Sequence, residues 1–323
     1  MAVFTDLSAE EVARVLKNFA LGDFLRLEPI ASGIENTNYF LDTTKGRWVL
    51  TVFERLKPEQ LPYYLELCEH LKKKGCRVAS PVRSLAGNLF EYIKEKPFSI
   101  ADRLTGENVA DVNDLECGSM GGLLAQMHLA ARDFALEQPN LRGLSWWQET
   151  APKVRPYLSD AQRSMMDSEL AYQEKLQTSD EWLSLTSTAC HCDLFRNNTL
   201  IAGHGTPEAH VAGVFDFYFA GTTPWLYDLA VTVNDWCIDP ETGLLDAERV
   251  RALMDAYNRV RPLSQTEKGL WRGALRAAAM RFWMSRLFDF YLPRKASLLK
   301  PLDPTHFERV LRDRMTCSLY WPQ

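Results

Sequence analysis

The sequence predicts an α+β protein in two lobes, a β-rich N-lobe over residues 1–100 and a mainly helical C-lobe over residues 101–323. Three observations predict it. Segments with strand character crowd residues 22–95. From about residue 107 apolar residues recur at helical spacing over long stretches. The few strand-like stretches that interrupt the helical region, "TSTACHCDL", "NTLIAG" and "EAHVAGVFDFYF", carry polar loops, and such loops on a rigid scaffold are where chemistry is placed.

The first helix opens with a capping box in "SAEEVARVLKNF", where Ser8 is followed three residues later by Glu11. "LRLEPIASG", "TNYFLDTT" and "RWVLTVFE" then read as strands, with "TKGR" as the hairpin turn between the last two. "LPYYLELCEHLKKKG" is a helix with one apolar face and Gly75 as its stop. "VASPVRS" and "NLFEYIKE" are further short strands, and residues 96–106 are expected to connect the lobes. In the second half, "VNDLECGSMGGLLAQMHLAARDF", "DAERVRALMDAYNRV" and "TEKGLWRGALRAAAMRFWMSRLFDFYL" have helical periodicity.

Composition excludes several classes. The chain has 323 residues, 46% of them hydrophobic and 24% charged, with a net charge of −5, so there is no electrostatic case for nucleic-acid binding. No apolar run approaches the roughly 20 residues that cross a bilayer, and "MAVFTDLSAEEV" lacks the basic start and apolar stretch of a secretory signal. Seven cysteines without a regular framework fit reduced thiols in a cytoplasmic setting. Cys190, His191 and Cys192 resemble a metal cluster, but no second Cys/His pair stands at a suitable spacing to close a zinc site.

The sharpest signal is "HCDLFRNN", residues 191–198. His191-x-Asp193-x-x-x-x-Asn198 has the spacing of the catalytic loop of protein kinases, in which the aspartate accepts the proton of the attacking hydroxyl and the asparagine holds a metal. A second apolar strand, "VAGVF", ends in Asp216, at the place of a second metal-holding aspartate. Phosphoryl transfer needs an aligned hydroxyl, divalent metal on the β- and γ-phosphates and neutralised charge, and one base with two metal ligands supplies most of that. His191 reads as a residue that holds the loop's backbone.

With "YDLA" at 227–230 added, these residues place the chain in resemblance to the aminoglycoside phosphotransferase and choline kinase superfamily, which has a protein-kinase-like fold. "GIENTNYFL", "HCDLFRNN", "GVFDFYFAG", "LYDLAVTVNDWC" and "RFWMSRLFDFYLPR" are similar to the homoserine kinases of bacteria within it, over nearly the whole chain. The resemblance implies ATP-dependent phosphorylation of the hydroxyl of L-homoserine with Mg2+. It implies Asp193 as catalytic base, Asn198 and Asp216 as magnesium ligands, and Asp228 as a brace of the catalytic loop. "ASGIENTNYF" would be the turn over the ATP phosphates, with Gly33, Asn36 and Asn38 as its donors, and adenine would sit near Tyr92 to Ala101. Alternatives of the same fold are a choline, ethanolamine or aminoglycoside kinase, or a non-catalytic nucleotide-binding pseudokinase. Related kinases carry a lysine on the third strand, paired with a glutamate on the next helix. Here Thr51 stands at the lysine position and Tyr64 near the glutamate position.

On the substrate side, Asp228 is expected to cap the helix "DLAVTVNDWC". Asp235, two turns on, faces the same way; it either meets a substrate ammonium or is a solvated charge. On the last long helix Lys268, Arg272, Arg276 and Arg286 share one side, while Arg281 lies opposite among small and apolar residues. A guanidinium in such a stripe needs an anionic partner, either a structural acid or the carboxylate of the substrate. His128 reads as a satisfied core histidine, and oligomeric state is not legible.

Overall fold

The computed structural model describes residues 4–30, 36–293 and 301–321. The chain divides into two compact units, Met1–Thr105 and Gly106–Gln323.

In the first unit, helix α1 (Ala9–Leu16) starts at Ser8 with the capping box to Glu11. Strands β1 (Phe24–Ile30), β2 (Thr37–Thr43) and β3 (Gly46–Val52) follow. Helix α2 (Leu61–Lys73) intervenes before β4 (Glu91–Ile93) and β5 (Lys96–Asp102). The sheet is antiparallel in the order β1-β2-β3-β5-β4. Thr37, Tyr39, Leu41 and Thr43 point inward at the period of two that a strand imposes. Tyr39, Leu41, Leu50, Val52, Phe98 and Ile100 form the core with Val12 and Leu16 of α1.

Residues 96–102, expected as connector, are instead strand β5, paired on both sides. Pro97 hid it, because proline cannot donate to a ladder and demotes a strand reading. Its carbonyl is still used, accepting from the Phe53 N–H at 2.9 Å. Conversely, "VASPVRS" forms no strand and contributes isolated bridge residues, among them Pro81 opposite Ala101, and "NLFEYIKE" shrinks to the three residues of β4.

The second unit is built on helices α3 (Asp114–Ala130), α4 (Leu144–Val154), α5 (Asp160–Gln177), α6 (Asp180–Leu183), α7 (Trp225–Trp236), α8 (Ala247–Val260), α9 (Gln265–Tyr291) and α10 (Thr305–Arg314). Capping boxes at Asn113/Glu116 and Ser264/Glu267 start α3 and α9. Helices α3 and α8 touch closely: a Cβ at Gly121 would lie 2.1 Å from the Leu253 carbonyl oxygen. Helix α7 is the centre of the unit, with every residue but Asp235 buried. Its Asn234 amide donates to the Leu275 carbonyl of α9 and accepts from the Arg314 Nε of α10, both at 2.8 Å.

Two short ladders carry the polar loops. Strand β6 (Ser187–Cys190) pairs with β9 (Gly221–Pro224), and β7 (Thr199–Ala202) pairs with β8 (His210–Val214). Cys190 lies opposite Gly221, and Thr199 opposite Val214. The 191–198 loop and the 215–220 loop therefore span the same two ladders. The short strand β9, "GTTP", was not expected from the sequence.

Candidate active site

Asp228 sits behind the 191–198 loop. It lies in the first turn of α7, completely buried. It does not cap the helix as expected, because the helix starts at Trp225 and its N-cap is Pro224. Its carboxylate faces the loop instead. Oδ2 accepts the His191 N–H at 3.2 Å and Oδ1 the Cys192 N–H at 2.7 Å. A third donor is the His128 ring, whose Nε2 lies 3.1 Å from Oδ2. Burial works against the charged carboxylate, but these donors outweigh it and hold the Asp228 carboxyl below its ordinary range.

His128 is satisfied in the core, and its partners fix its tautomer. Nε2–H donates to Asp228, so Nδ1 accepts from the Tyr257 hydroxyl at 2.9 Å. Its ring stacks on Trp225 at 5.4 Å. His191 has the same logic: Nε2–H donates to the Phe215 carbonyl at 3.0 Å, and Nδ1 accepts the Asp193 N–H at 3.3 Å. Burial lowers the pKa of both rings, so both are neutral.

The loop itself is tightly specified. Cys192 takes a left-handed backbone conformation, φ 63°, which costs a non-glycine residue about 1 kcal/mol or more and persists only where surroundings enforce it. Asp216 does the same at φ 64°. The Phe215 N–H donates to the Asn198 carbonyl at 3.0 Å, so the residue before Asp216 is pinned to the end of the 191–198 loop. Asn198 is buried, and its amide nitrogen donates to the Asp193 carbonyl at 2.8 Å and approaches Asp193 Oδ2 at 3.3 Å. That orientation turns the amide oxygen, a hard donor, toward the other side.

Asp193 itself is about one-fifth exposed, and its Oδ1 lies 3.4 Å from an Arg281 guanidinium nitrogen. Arg281 is 4% exposed. Its guanidinium lies over Phe282 at 3.9 Å and 5.2 Å from the Phe219 centroid, with Ser285 Oγ at 3.4 Å. The anionic partner that the sequence required is thus the expected base, 88 residues away. Asp235 Oδ2 accepts both the Arg196 backbone N–H at 2.8 Å and its Nε at 3.1 Å, so one oxygen of this carboxylate is committed to the end of the loop. Asp228 and Asp235, two turns apart on α7, hold the start and the end of the same loop.

In the first unit, Asn38 and Thr51 are cross-strand neighbours, and the Thr51 hydroxyl donates to Asn38 Oδ1 at 2.8 Å. The position of the expected lysine is therefore a satisfied neutral pair. Asn36 is buried, and Gly33 lies outside the described residues. An ion pair that spacing did not reveal joins Lys96 of β5 to Glu54 at 2.5 Å, with the Thr5 and Thr37 hydroxyls donating to the other Glu54 oxygen.

Asp193 and Asn198 on one loop and Asp216 on the adjoining one bring three oxygen-bearing side chains to these two ladders. The chain belongs to the phosphotransferase enzyme family, whose model matches residues 26–263. It is 50% identical to a homoserine kinase of Burkholderia vietnamiensis, over 100% of this chain and 98% of that protein. It is 49% identical to a homoserine kinase of a Janthinobacterium species, over 98% and 96%. Among solved structures, an amicoumacin kinase in complex with AMP-PNP, Ca2+ and Ami superposes with a TM-score of 0.68 at 16% identity, covering 96% of this chain and 92% of that one. That likeness shows the protein-kinase-like fold of this class.

Proposed function

We propose that this chain transfers the γ-phosphoryl group of ATP to the side-chain hydroxyl of L-homoserine, giving O-phospho-L-homoserine and ADP on the way to threonine. The observation that carries this reading is identity of about one-half, over the whole chain, to proteins named homoserine kinase. The site supports it with its own chemistry.

Asp193 accepts the proton of the homoserine hydroxyl as that oxygen forms its bond to the γ-phosphorus and the bond to the β-bridging oxygen breaks, releasing ADP. Little covalent work is asked of the protein, so alignment is most of the task. The loop is built for alignment: Asp228, Asp235 and Asn198 fix its start, end and interior. The oxygen donors of Asn198 and Asp216 suit a hard cation, and these two residues would hold Mg2+. When bound, the ion neutralises charge on the β- and γ-phosphates. In the first unit, Gly33, Asn36 and Asn38 are assigned to the phosphates of ATP, as the family resemblance implies. Arg281 is assigned to the substrate carboxylate. Ordinary bond lengths keep that carboxylate within about 5 Å of the reacting hydroxyl, and the Arg281 guanidinium lies next to Asp193. A cytoplasmic setting fits seven cysteines that are all free thiols. Among the described residues, no helix is long and apolar enough to cross a membrane.

The test is magnesium-dependent ADP release with homoserine, choline, ethanolamine and an aminoglycoside offered in turn. Homoserine should be turned over with the highest kcat/KM. A preference for another alcohol overturns the substrate, and no turnover with any of them favours the pseudokinase that Thr51 in place of lysine allows.

A further inference from the structure

A small 2-amino acid that places its hydroxyl at Asp193 must present its carboxylate close by, so the groups that read it lie near Arg281. A second guanidinium stands against one of the rings that carry Arg281. Arg142, on the turn before α4, has its guanidinium carbon 5.9 Å from the centroid of Phe219, the ring that also carries Arg281 at 5.2 Å. Trp146 provides a second aromatic face under Arg142, at 4.4 Å. Phe219 lies three residues after Asp216, on the same loop.

The turn that presents Arg142 is locked to that loop. The Thr222 N–H donates to the Gln138 carbonyl at 2.6 Å, and the Gln138 side chain donates to the Ala220 carbonyl at 3.3 Å. Gly221 lets the two backbones meet, since a Cβ there would lie 2.8 Å from the Asn140 Cα. Asn140 in turn accepts the Arg142 N–H at 2.9 Å, and the Arg142 carbonyl accepts the Trp147 indole N–H at 2.6 Å. Stacking on aromatic faces suits the flat, weakly hydrated guanidinium and fixes the plane in which it offers paired N–H groups to a carboxylate.

We propose that Arg142 is a specificity-determining residue that, with Arg281, selects an amino alcohol bearing a carboxylate over its decarboxylated counterpart. This rests on the homoserine reading above. The probe is 3-aminopropan-1-ol, which keeps the chain, amine and hydroxyl of homoserine but lacks the carboxylate, measured as substrate and as competitive inhibitor. In Arg142→Met the homoserine KM should rise roughly tenfold or more, the scale of a lost charge-assisted hydrogen bond. The KM for ATP and the constants for 3-aminopropan-1-ol should stay within about threefold of wild type. Arg142→Lys, which keeps the charge and guards against a folding defect in the first variant, should fall between. A homoserine KM within twofold of wild type in both variants overturns the proposal, as does an equal loss toward both alcohols in a variant with unchanged Tm. If instead the wild-type enzyme does not phosphorylate homoserine at all, it is the underlying functional reading that fails.

Discussion

The two faces of the 191–198 loop are held by different physics. Behind it, His191, His128 and Asp228 are fully buried, and each ring nitrogen and carboxylate oxygen has a named partner. In front, Asp193 is partly exposed, and its neighbour Arg281 is a long cation laid on aromatic rings. The rear is a backbone scaffold in which no group needs to move. The front is charge offered to a ligand. Damage behind the loop should therefore cost stability and kcat together, whereas damage in front should leave the fold intact and separate turnover from substrate affinity.

The largest effect is expected in front. Asp216→Ala removes a charged oxygen donor from the proposed magnesium site, and turnover should fall roughly 10³-fold or more, in line with the loss of a group that stabilises transition-state charge. Wild-type activity across a magnesium titration would remove Asp216 from that role. Next comes the rear. In Asp228→Asn an amide NH2 replaces one carboxylate oxygen and must face either the Cys192 N–H or the donors of His191 and His128, at a cost of about 3 kcal/mol in stability. Tm and kcat should drop together while the homoserine KM holds. A variant with normal Tm and low kcat would show that the scaffold carries less strain than the geometry implies. Arg281→Lys sharpens the contrast: the homoserine KM should rise by the equivalent of roughly 1.5–3 kcal/mol with the ATP KM unchanged, since lysine loses the planar paired donor. Because Arg281 also touches Asp193, equal damage to kcat with no change in KM would assign it to positioning the base instead.

The smallest effect is on pH. His128 and His191 are neutral when folded, and His306 is pushed down to about 4 by burial and then by Arg286 and Arg309. Each of these folded pKa values lies below the unfolded value of about 6.5, so the unfolded chain binds more protons and stability falls as pH drops below about 6.5. His204 has the opposite sign, raised by Glu116, and its contribution is lost as pH rises. It sits at the surface, where such pairs are screened, so the three lowered rings should win. The Asp228 contribution persists to lower pH and goes only as pH falls through its depressed pKa. Urea unfolding at pH 7.5 and 5.5 checks the sign; equal or greater stability at pH 5.5 would contradict it.

What the sequence disclosed follows range. The capping box at Ser8, the hairpin turn and the Asp193-to-Asn198 spacing are local, and they were legible because local geometry decides them. The Asn38–Thr51 pair was within reach too, since a hairpin closing at Thr43 and Gly46 puts those residues opposite each other. Helical spacing showed that Asp228 and Asp235 share a side, but not that Arg196 would occupy the second. Strand β5 was hidden by Pro97 and β9 by its length of four residues. Partners set by the tertiary fold, such as Arg281 with Asp193 or Arg142 with Phe219, leave no trace in spacing at all.

The central claim is that Asp193, held between a rigid rear and a substrate-reading front, is the base for homoserine phosphorylation. Asp193→Asn tests it most directly, because asparagine matches the side chain's shape and removes its basicity, together with the charge that faces Arg281. With Tm and nucleotide affinity verified as unchanged, single-turnover formation of O-phospho-L-homoserine should slow by roughly 10²-fold or more, the scale of a lost general base. A folded, nucleotide-binding variant that forms the product at near the wild-type rate would contradict the account.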